Sequence, residues 1–416
     1  MDLRDIHVCI SAYACDPTRG SEPGIGWNIV REVARRHRVW AITRRRNEAA
    51  ITAALRHQPL PNLQIAYVDL PQPLLAFKRG QFGIEAYYAL WQRLTRSVIA
   101  KLHREVQFDV VQHATFGRYW GPTALAYSPA PFVWGPVGGG ESAPAAFRDD
   151  LDWHGRVSER IRDGARRCGE SAPSVRQAAR RATLALAVTE ETKARLLRLG
   201  TKRVELFSAM GMDAAAYARL CAIPIGRGGA VRFISMGRLL HWKGFHLGLR
   251  AFAAANLPDA EYWIVGDGPE RPKLVELATR LRIANRVRFC GPQRWNDALQ
   301  TLATCHVLVH PSLHDSGGFV CLEAMATGKP VLCLDLGGPA EQVTPLTGVK
   351  VAALTPEQAV SDLARAMTLL GNTPDLRHAM GEEGRRRVKS EYIWDTKGDR
   401  LDAMYESVLD QETRRR

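Results

Sequence analysis

The chain has 416 residues, 46% of them hydrophobic and 24% charged, which is an ordinary soluble composition with length for two or three domains. Such a composition excludes a disordered, collagenous or small disulfide-stapled protein. The 57 Lys and Arg residues outnumber the 43 Asp and Glu residues, and a net charge of +14 asks for an anionic partner: nucleic acid, an acidic membrane surface or a phosphorylated small molecule. The excess lies in the N-terminal half, where residues 1–213 hold 31 basic against 21 acidic side chains.

In chain order, residues 6–14 read as a buried strand, followed by a Gly- and Pro-containing turn over 19–26, a helix over 27–36 and a strand over 38–43. That is the strand–loop–helix–strand unit of a parallel sheet. Short apolar runs at 63–68, 109–112 and 131–134 continue the series, with a helix over 85–105 between the first two. Residues 144–182 are polar, rich in Arg and Ala, and helical in pattern. A strand over 185–189, a helix over 191–199 and a strand over 204–208 complete this half. Residues 209–230 change character and read as an interdomain linker.

A second series follows, with strands at 231–236, 261–265, 286–289, 307–310 and 330–334 and helices between them. An amphipathic helical pattern over 394–408 closes the chain. The fold class is therefore α/β, with domains at 1–215 and 216–390 and a terminal segment at 391–416. Two doubly wound sheets facing each other would bring both sets of strand C-termini to one cleft, where such sheets bind ligands.

The eight cysteines form no C-x-x-C and no Cys/His cluster at zinc spacing, so they read as buried free thiols. The first residues, with charges ahead of a short apolar run, read as a strand and not a signal peptide. No run approaches the ~18 apolar residues of a spanning helix. The expected location is cytoplasmic, with any membrane contact peripheral.

The densest motif is PSLHDSGGFVCLEAMATGKPV at 311–331. A strand ends at Pro311, a Gly-rich loop follows, and a helix opens near Phe319. Loop amides and a helix N-terminus make an anion site suited to a diphosphate. Asp315 and Glu323 stand eight positions apart, one on the loop and one inside the helix, where each can accept hydrogen bonds from a different sugar of one ligand. A short Gly loop taken alone reads better as a plain strand–helix turn with a solvated Asp.

The whole run resembles glycosyltransferase family 4, retaining enzymes of the GT-B fold, whose hallmark is Glu-x7-Glu around Gly-Phe-Gly and then E-A-M-A-x-G-x-P-V. Here Glu323 is the second acid, Asp315 replaces the first, and Ser316-Gly317-Gly318 replaces Gly-Phe-Gly. The resemblance implies two Rossmann-like domains facing a central cleft, with Glu323 on the ribose hydroxyls of a nucleotide and Asp315, with the amides of Gly317 to Phe319, on the transferred sugar. Gly237-Arg238-Leu239-Leu240-His241-Trp242-Lys243-Gly244 matches the family's G-R-x-x-x-x-K-G, which implies that Arg238 and Lys243 bind the donor diphosphate. Two cations at a strand end suit a leaving group that gains negative charge. Gly266, in IVGDGP at 264–269, fits the family's next Gly turn, and 287–291 fits the strand lining the base pocket.

In the first half, GSEPGIGW at 20–27 stands where the family has a Gly-rich loop, which implies that Gly24 lets backbone approach the donor phosphate. His113, after an apolar strand, stands where family members often have a His at the donor sugar or reacting centre. The Gly-rich WGPVGGGE at 134–141 has no assigned role. Asp150-Leu151-Asp152 is formally D-x-D, the metal signature of the other large glycosyltransferase fold, yet it lies in a polar stretch and reads as a solvated run. The histidines form no ligand pair on one helix. The family implies no metal and no cofactor, with Arg238, Lys243 and helix dipoles supplying positive charge. Tyr392-Ile393-Trp394-Asp395 resembles the family's C-terminal end, with Trp394 a packing anchor.

The function implied is retaining transfer of a hexose from a nucleotide-diphosphate sugar to a hydroxyl of a glycan or lipid-linked acceptor. Alternatives are a nucleotide-sugar hydrolase or epimerase of the same fold, or an inactive sugar-binding homologue, the last motivated by Asp315 in place of Glu. A glycogen-type phosphorylase lacks its lysine context here. Nucleic acid is not an expected partner, because basic and aromatic residues do not interleave. Arg35-Arg36, Arg44-Arg45-Arg46 and the arginines of 156–181 exceed what a diphosphate needs. They point to peripheral contact with anionic lipid on the inner face of the plasma membrane.

Overall fold

Strands rich in Val, Ile, Leu and Ala and buried on both faces assemble into all-parallel sheets, the arrangement their unalternating apolar pattern demands. A computed structural model describes residues 5–71, 83–225 and 229–414. The chain divides into two units, Met1–Gly140 with Gly164–Gly211 and Trp394–Arg416, and Glu141–Asp163 with Met212–Ile393.

The first unit holds β1 (His7–Ala12), β2 (Arg38–Thr43), β3 (Leu63–Tyr67), β4 (Val110–Thr115), β5 (Phe132–Val137), β6 (Leu184–Ala187) and β7 (Val204–Leu206). They run in the order β3-β2-β1-β4-β5-β6-β7. The order reverses between β1 and β4, which pair in register from Val8 opposite Val110 to Ser11 opposite His113. The helix Ser21–Ala34 follows β1 directly. The expected turn over 19–26 is thus mostly helix, because Gly26 lets the helix lie on the strands: a Cβ there would stand 2.0 Å from the Ala14 carbonyl oxygen. The terminal helix Trp394–Thr413 packs on Ser21–Ala34. Arg35 pairs with Asp395 at 2.7 Å, His37 with Asp402 at 2.6 Å, and Trp394 is buried.

The second unit holds β8 (Arg232–Met236), β9 (Glu261–Val265), β10 (Val287–Gly291), β11 (Val307–His310), β12 (Val331–Leu334) and β13 (Gly348–Val351) in the order β10-β9-β8-β11-β12-β13. β13 is absent from the sequence reading. It is a four-residue edge strand with a glycine at its start and an exposed Lys350, too short to show a pattern. The order reverses between β8 and β11, paired through Phe233 with Val307 and Ile234 with Leu308. The loops after these two strands therefore diverge and leave a crevice at their carboxyl ends.

The division between units falls at 211/212, against an expected boundary at 215/216, and the stretch Glu141–Asp163 counts with the second unit. Its acids explain why: Asp150 pairs with Arg250 at 2.8 Å and Asp152 with Lys273 at 2.6 Å. The expected linker at 209–230 contains the helix Ala214–Cys221, whose Tyr217 hydroxyl donates to the Arg385 carbonyl at 3.2 Å. Residues 226–228 of that stretch lie outside the described residues.

In the second unit the turns after β8 and β9 meet backbone to backbone. Gly266 has φ +131°, and a Cβ on it would stand 1.9 Å from the carbonyl oxygen of Gly237. Gly266→Ala is expected to cost about 2 kcal/mol and lower the melting temperature by several degrees. An unchanged melting temperature would show that the two turns separate freely.

Candidate functional site

The crevice between β8 and β11 is lined by the loop Gly237–Gly244 and the loop that opens at Pro311. Gly244, at φ +66°, closes the first loop against the second, since a Cβ there would stand 1.9 Å from the Pro311 carbonyl oxygen. That approach brings Lys243 to Asp315, Nζ to Oδ2 at 2.5 Å. His310, the last residue of β11, contacts the same oxygen through Nε2 at 3.2 Å. The other carboxylate oxygen accepts from the backbone amides of Gly317 at 3.1 Å and Gly318 at 3.2 Å. Burial pushes the Asp315 carboxyl toward neutrality, but His310 and Lys243 outweigh it and hold the group well below the usual carboxylate range. The structure thus brings a cation and two amides onto one anionic group.

Gly318, with φ +60°, precedes the helix Phe319–Ala326, so the amides of Gly317 and Gly318 lie at a positive helix terminus. Arg238 stands exposed on the same loop as Lys243 and ion-pairs with no carboxylate among the described residues. It is available to an anionic ligand. The loop backbone is fixed from a third side: the Gly338 amide donates to the Asp315 carbonyl at 2.7 Å, and Gln342 Nε2 donates to the Gly317 carbonyl at 2.5 Å.

Glu323, inside the helix, is almost wholly buried, and its Oε1 accepts from the indole N–H of Trp295 at 2.5 Å. Burial pushes its carboxyl up to about 7, against the lowering effect of the Trp295 hydrogen bond. Trp295, at the start of the helix Trp295–Ala303, is half exposed, and nothing in the local sequence marks it. Its partner lies 28 positions away in the chain, and no spacing rule links them.

Further residues to which the sequence assigns no role hold the loops. Glu159 accepts from His314 Nε2 at 2.9 Å and from His241 Nε2 at 3.2 Å, so one carboxylate ties the loop after β8 to the loop after β11. Burial raises its carboxyl, and the two histidines more than reverse that, holding it well below the ordinary glutamate range. The His314 ring stacks on Trp242 with centroids 5.4 Å apart. Glu141, from the Gly-rich stretch left unassigned, accepts from the Ser316 hydroxyl at 2.6 Å. Asp150 and Asp152, read as solvated, are instead the ion-pair partners of Arg250 and Lys273. The physical reason is that these helices place bases where the acids can satisfy them.

His113 and Gly24 belong to the first unit. His113 is buried within β4, its Nε2–H donating to the Phe116 carbonyl at 3.4 Å while Nδ1 has no partner among the described residues. Burial lowers its pKa to about 4, so the ring is neutral at neutral pH. Gly24 sits inside the helix Ser21–Ala34 and not in a loop, and its missing side chain lets the preceding turn fold close, since a Cβ there would stand 2.4 Å from the Arg19 carbonyl oxygen. Nearby, Glu22 accepts from the Gly117 amide at 2.6 Å and the Ala14 amide donates to Thr115 Oγ1 at 3.0 Å, closing the loops after β1 and β4 on each other.

Residues 227–387 match the family model described as glycosyl transferases group 1. A GDP-mannose-dependent monoacylated alpha-(1-6)-phosphatidylinositol monomannoside mannosyltransferase of Corynebacterium glutamicum is 35% identical over 160 residues, 37% of this chain. The match spans only 40% of that relative's length. A 2-deoxystreptamine N-acetyl-D-glucosaminyltransferase of Streptomyces fradiae is 28% identical over 357 residues, covering 80% of this chain and 81% of the relative. Among solved structures, that of Anabaena HepE in complex with UDP superposes with a TM-score of 0.61 at 17% identity, covering 97% of this chain and 100% of the other. The fold is accordingly that of the GT-B glycosyltransferases, with parallel sheets of seven and six strands.

The Glu323 carboxyl gives a pH signature. Its folded pKa, about 7, lies above the ordinary glutamate value, so the unfolded chain releases this proton first as pH rises. Stability from this group is complete below the ordinary value and lost as pH climbs through about 7, at up to ~1.4 kcal/mol per pH unit. Glu323→Gln is expected to flatten the fall in denaturation free energy between weakly acid and neutral pH. Parallel profiles for parent and variant would exclude a raised carboxyl.

Proposed function

We propose that the protein is a glycosyltransferase that moves a hexose, with retention, from a nucleotide-diphosphate sugar to a hydroxyl of a glycan or lipid-linked acceptor. The observation that carries this reading is the convergence of Lys243 and the amides of Gly317 and Gly318 on one anionic group, at the strand-order reversal of the second unit. Groups that, together with His310, hold a largely buried carboxylate in its charged form make a site able to hold a phosphate oxygen. The group 1 match over this unit and the relatives' printed activities support the same reading. One relative is named for GDP-mannose and a phosphatidylinositol mannoside, and one neighbour holds UDP.

In this mechanism Lys243 and the exposed Arg238 meet the charge that develops as the diphosphate departs. Glu323, close to half-ionised at neutral pH, takes the ribose hydroxyls, and Trp295 fixes its carboxyl by one hydrogen bond. Asp315 and the amides of Gly317 to Phe319 orient the sugar. Asp315 has one methylene fewer than the family's Glu and is drawn back onto Lys243, so donor binding must exchange part of that ion pair for phosphate contacts. Gly266 keeps the neighbouring turn close. In the first unit, the neutral His113 offers Nδ1 as a hydrogen-bond acceptor, and Gly24 is the residue that the family resemblance assigns to the donor phosphate. The donor is a substrate, and the reading includes no cofactor.

Melting curves against UDP-, GDP- and ADP-sugars test the donor site. A true donor at 100 times its Kd adds ~2.7 kcal/mol, and no stabilisation by any of them would remove the nucleotide-sugar reading. Lys243→Ala is expected to lower turnover at saturating donor by at least ~10²-fold. Near-normal turnover would remove Lys243 from the transition state. Stabilisation by a donor without transfer or hydrolysis would instead favour the inactive homologue, in which Asp315 stays on its internal partners.

A further inference from the structure

The helix Trp153–Ser171 is inverted with respect to solvent. Glu159, Asp163 and Arg166, spaced four and three apart on one face, are buried. Glu159 binds His241 and His314, and Asp163 accepts from Arg148 at 2.5 Å. On the other face the residues at the same spacing are apolar and exposed: Trp153 at 61%, Val157 at 38% and Ile161 at 66%, followed by Ala165 and Cys168. A surface helix ordinarily places these classes the other way round. The charged face is accounted for by its partners, whereas the apolar stripe covers nothing among the described residues.

What flanks the stripe selects its partner. Arg160 and Arg167 are exposed beside it, and neither ion-pairs with a carboxylate among the described residues. The acids of this helix are withdrawn: Glu159 and Asp163 are buried, and Glu170 accepts from Arg195 at 3.0 Å. The face is therefore apolar and cationic with no exposed carboxylate. The other arginine clusters differ. Arg35 and Arg36 are held by Glu32, Asp395 and Asp399, and Arg44 is buried with its guanidinium 3.9 Å over the Tyr13 ring. The positive excess of the N-terminal half is paired or buried at Arg35, Arg36 and Arg44 and exposed at Arg45 and Arg46, whereas at this helix exposed arginines flank an apolar stripe.

We propose that this face of Trp153–Ser171 docks on a bilayer containing anionic lipid. Trp153, Val157 and Ile161 enter the boundary between headgroups and acyl chains, while Arg160 and Arg167 reach along the surface to lipid phosphates. A cationic amphipathic helix with Trp at its edge lies in the plane of the interface and does not cross it. No helix among the described residues is long and apolar enough to span a membrane. The proposal stands apart from the transfer reading, because adsorption requires neither sugar nor acceptor.

Co-sedimentation of the full chain with vesicles of phosphatidylcholine alone, and of phosphatidylcholine mixed with phosphatidylglycerol, tests it. Binding is expected to the mixed vesicles. The double variant Trp153→Ser with Ile161→Ser is expected to bind them at least ~tenfold more weakly. Arg160→Gln and Arg167→Gln should each weaken binding by ~fivefold on mixed vesicles and leave pure phosphatidylcholine unaffected. Unchanged melting temperature and unchanged stabilisation by nucleotide sugars would show that the variants keep their fold and donor site. A parent that ignores both vesicles, or a double variant that sediments like the parent, overturns the proposal. So does a parent that dimerises in solution through this stripe and does not bind lipid.

Discussion

The loops at the carboxyl ends of β8 and β11 depend on one largely buried carboxylate that its own neighbours must keep charged. Asp315 stays ionised because Lys243, His310 and two loop amides surround it, contributed by the loop after β8, the end of β11 and the loop that follows it. An unpaired charge in that position would cost several kcal/mol, so the four groups and the carboxylate constrain one another. The ion pair thus fixes two loops that nothing in the sheet itself would hold together. The strand-order reversal between β8 and β11 creates the space, and the ion pair determines what lines it.

A second layer of carboxylates supports the first. Glu159 and Glu141 come from a stretch far removed in sequence from the loops they hold, and Asp150 and Asp152 tie the same stretch to two neighbouring helices. Residues that orient a binding group matter as much as the group itself, since a displacement of about 1 Å costs rate or affinity steeply. Because its buried face is occupied by these acids, the helix Trp153–Ser171 has its apolar side chains on the outside. The anchoring of the loops after β8 and β11 and the exposed apolar stripe are two sides of one helix.

Much of the fold is legible in the sequence. Uninterrupted apolar runs such as VRFISM and HVLVH give the strands, because a strand buried on both faces has no alternative pattern. The Gly-rich turns mark their carboxyl ends, and the run from Pro311 to Val331 gives the site loop and its two acids. Legibility fails where a residue's role is set by a distant partner. Nothing around Trp295 announces Glu323, and nothing in the polar stretch near Glu159 announces two histidines. Gly24 reads as a loop residue because Gly and Pro usually break helices, yet here Pro23 and Gly24 occupy the first turn, where both are tolerated.

The sequence by itself determined the α/β class, the two strand–helix series and the Gly-rich turns at the strand ends, because these follow from local periodicity and turn chemistry. Tertiary structure alone decided the protonation and partnership of the charged groups. Whether Asp315 is solvated or clamped, whether Glu323 is ionised, and which arginines are neutralised depend on burial and on partners brought together from distant positions. Electrostatic energy depends on distance and local dielectric, and neither is written in the order of residues along the chain.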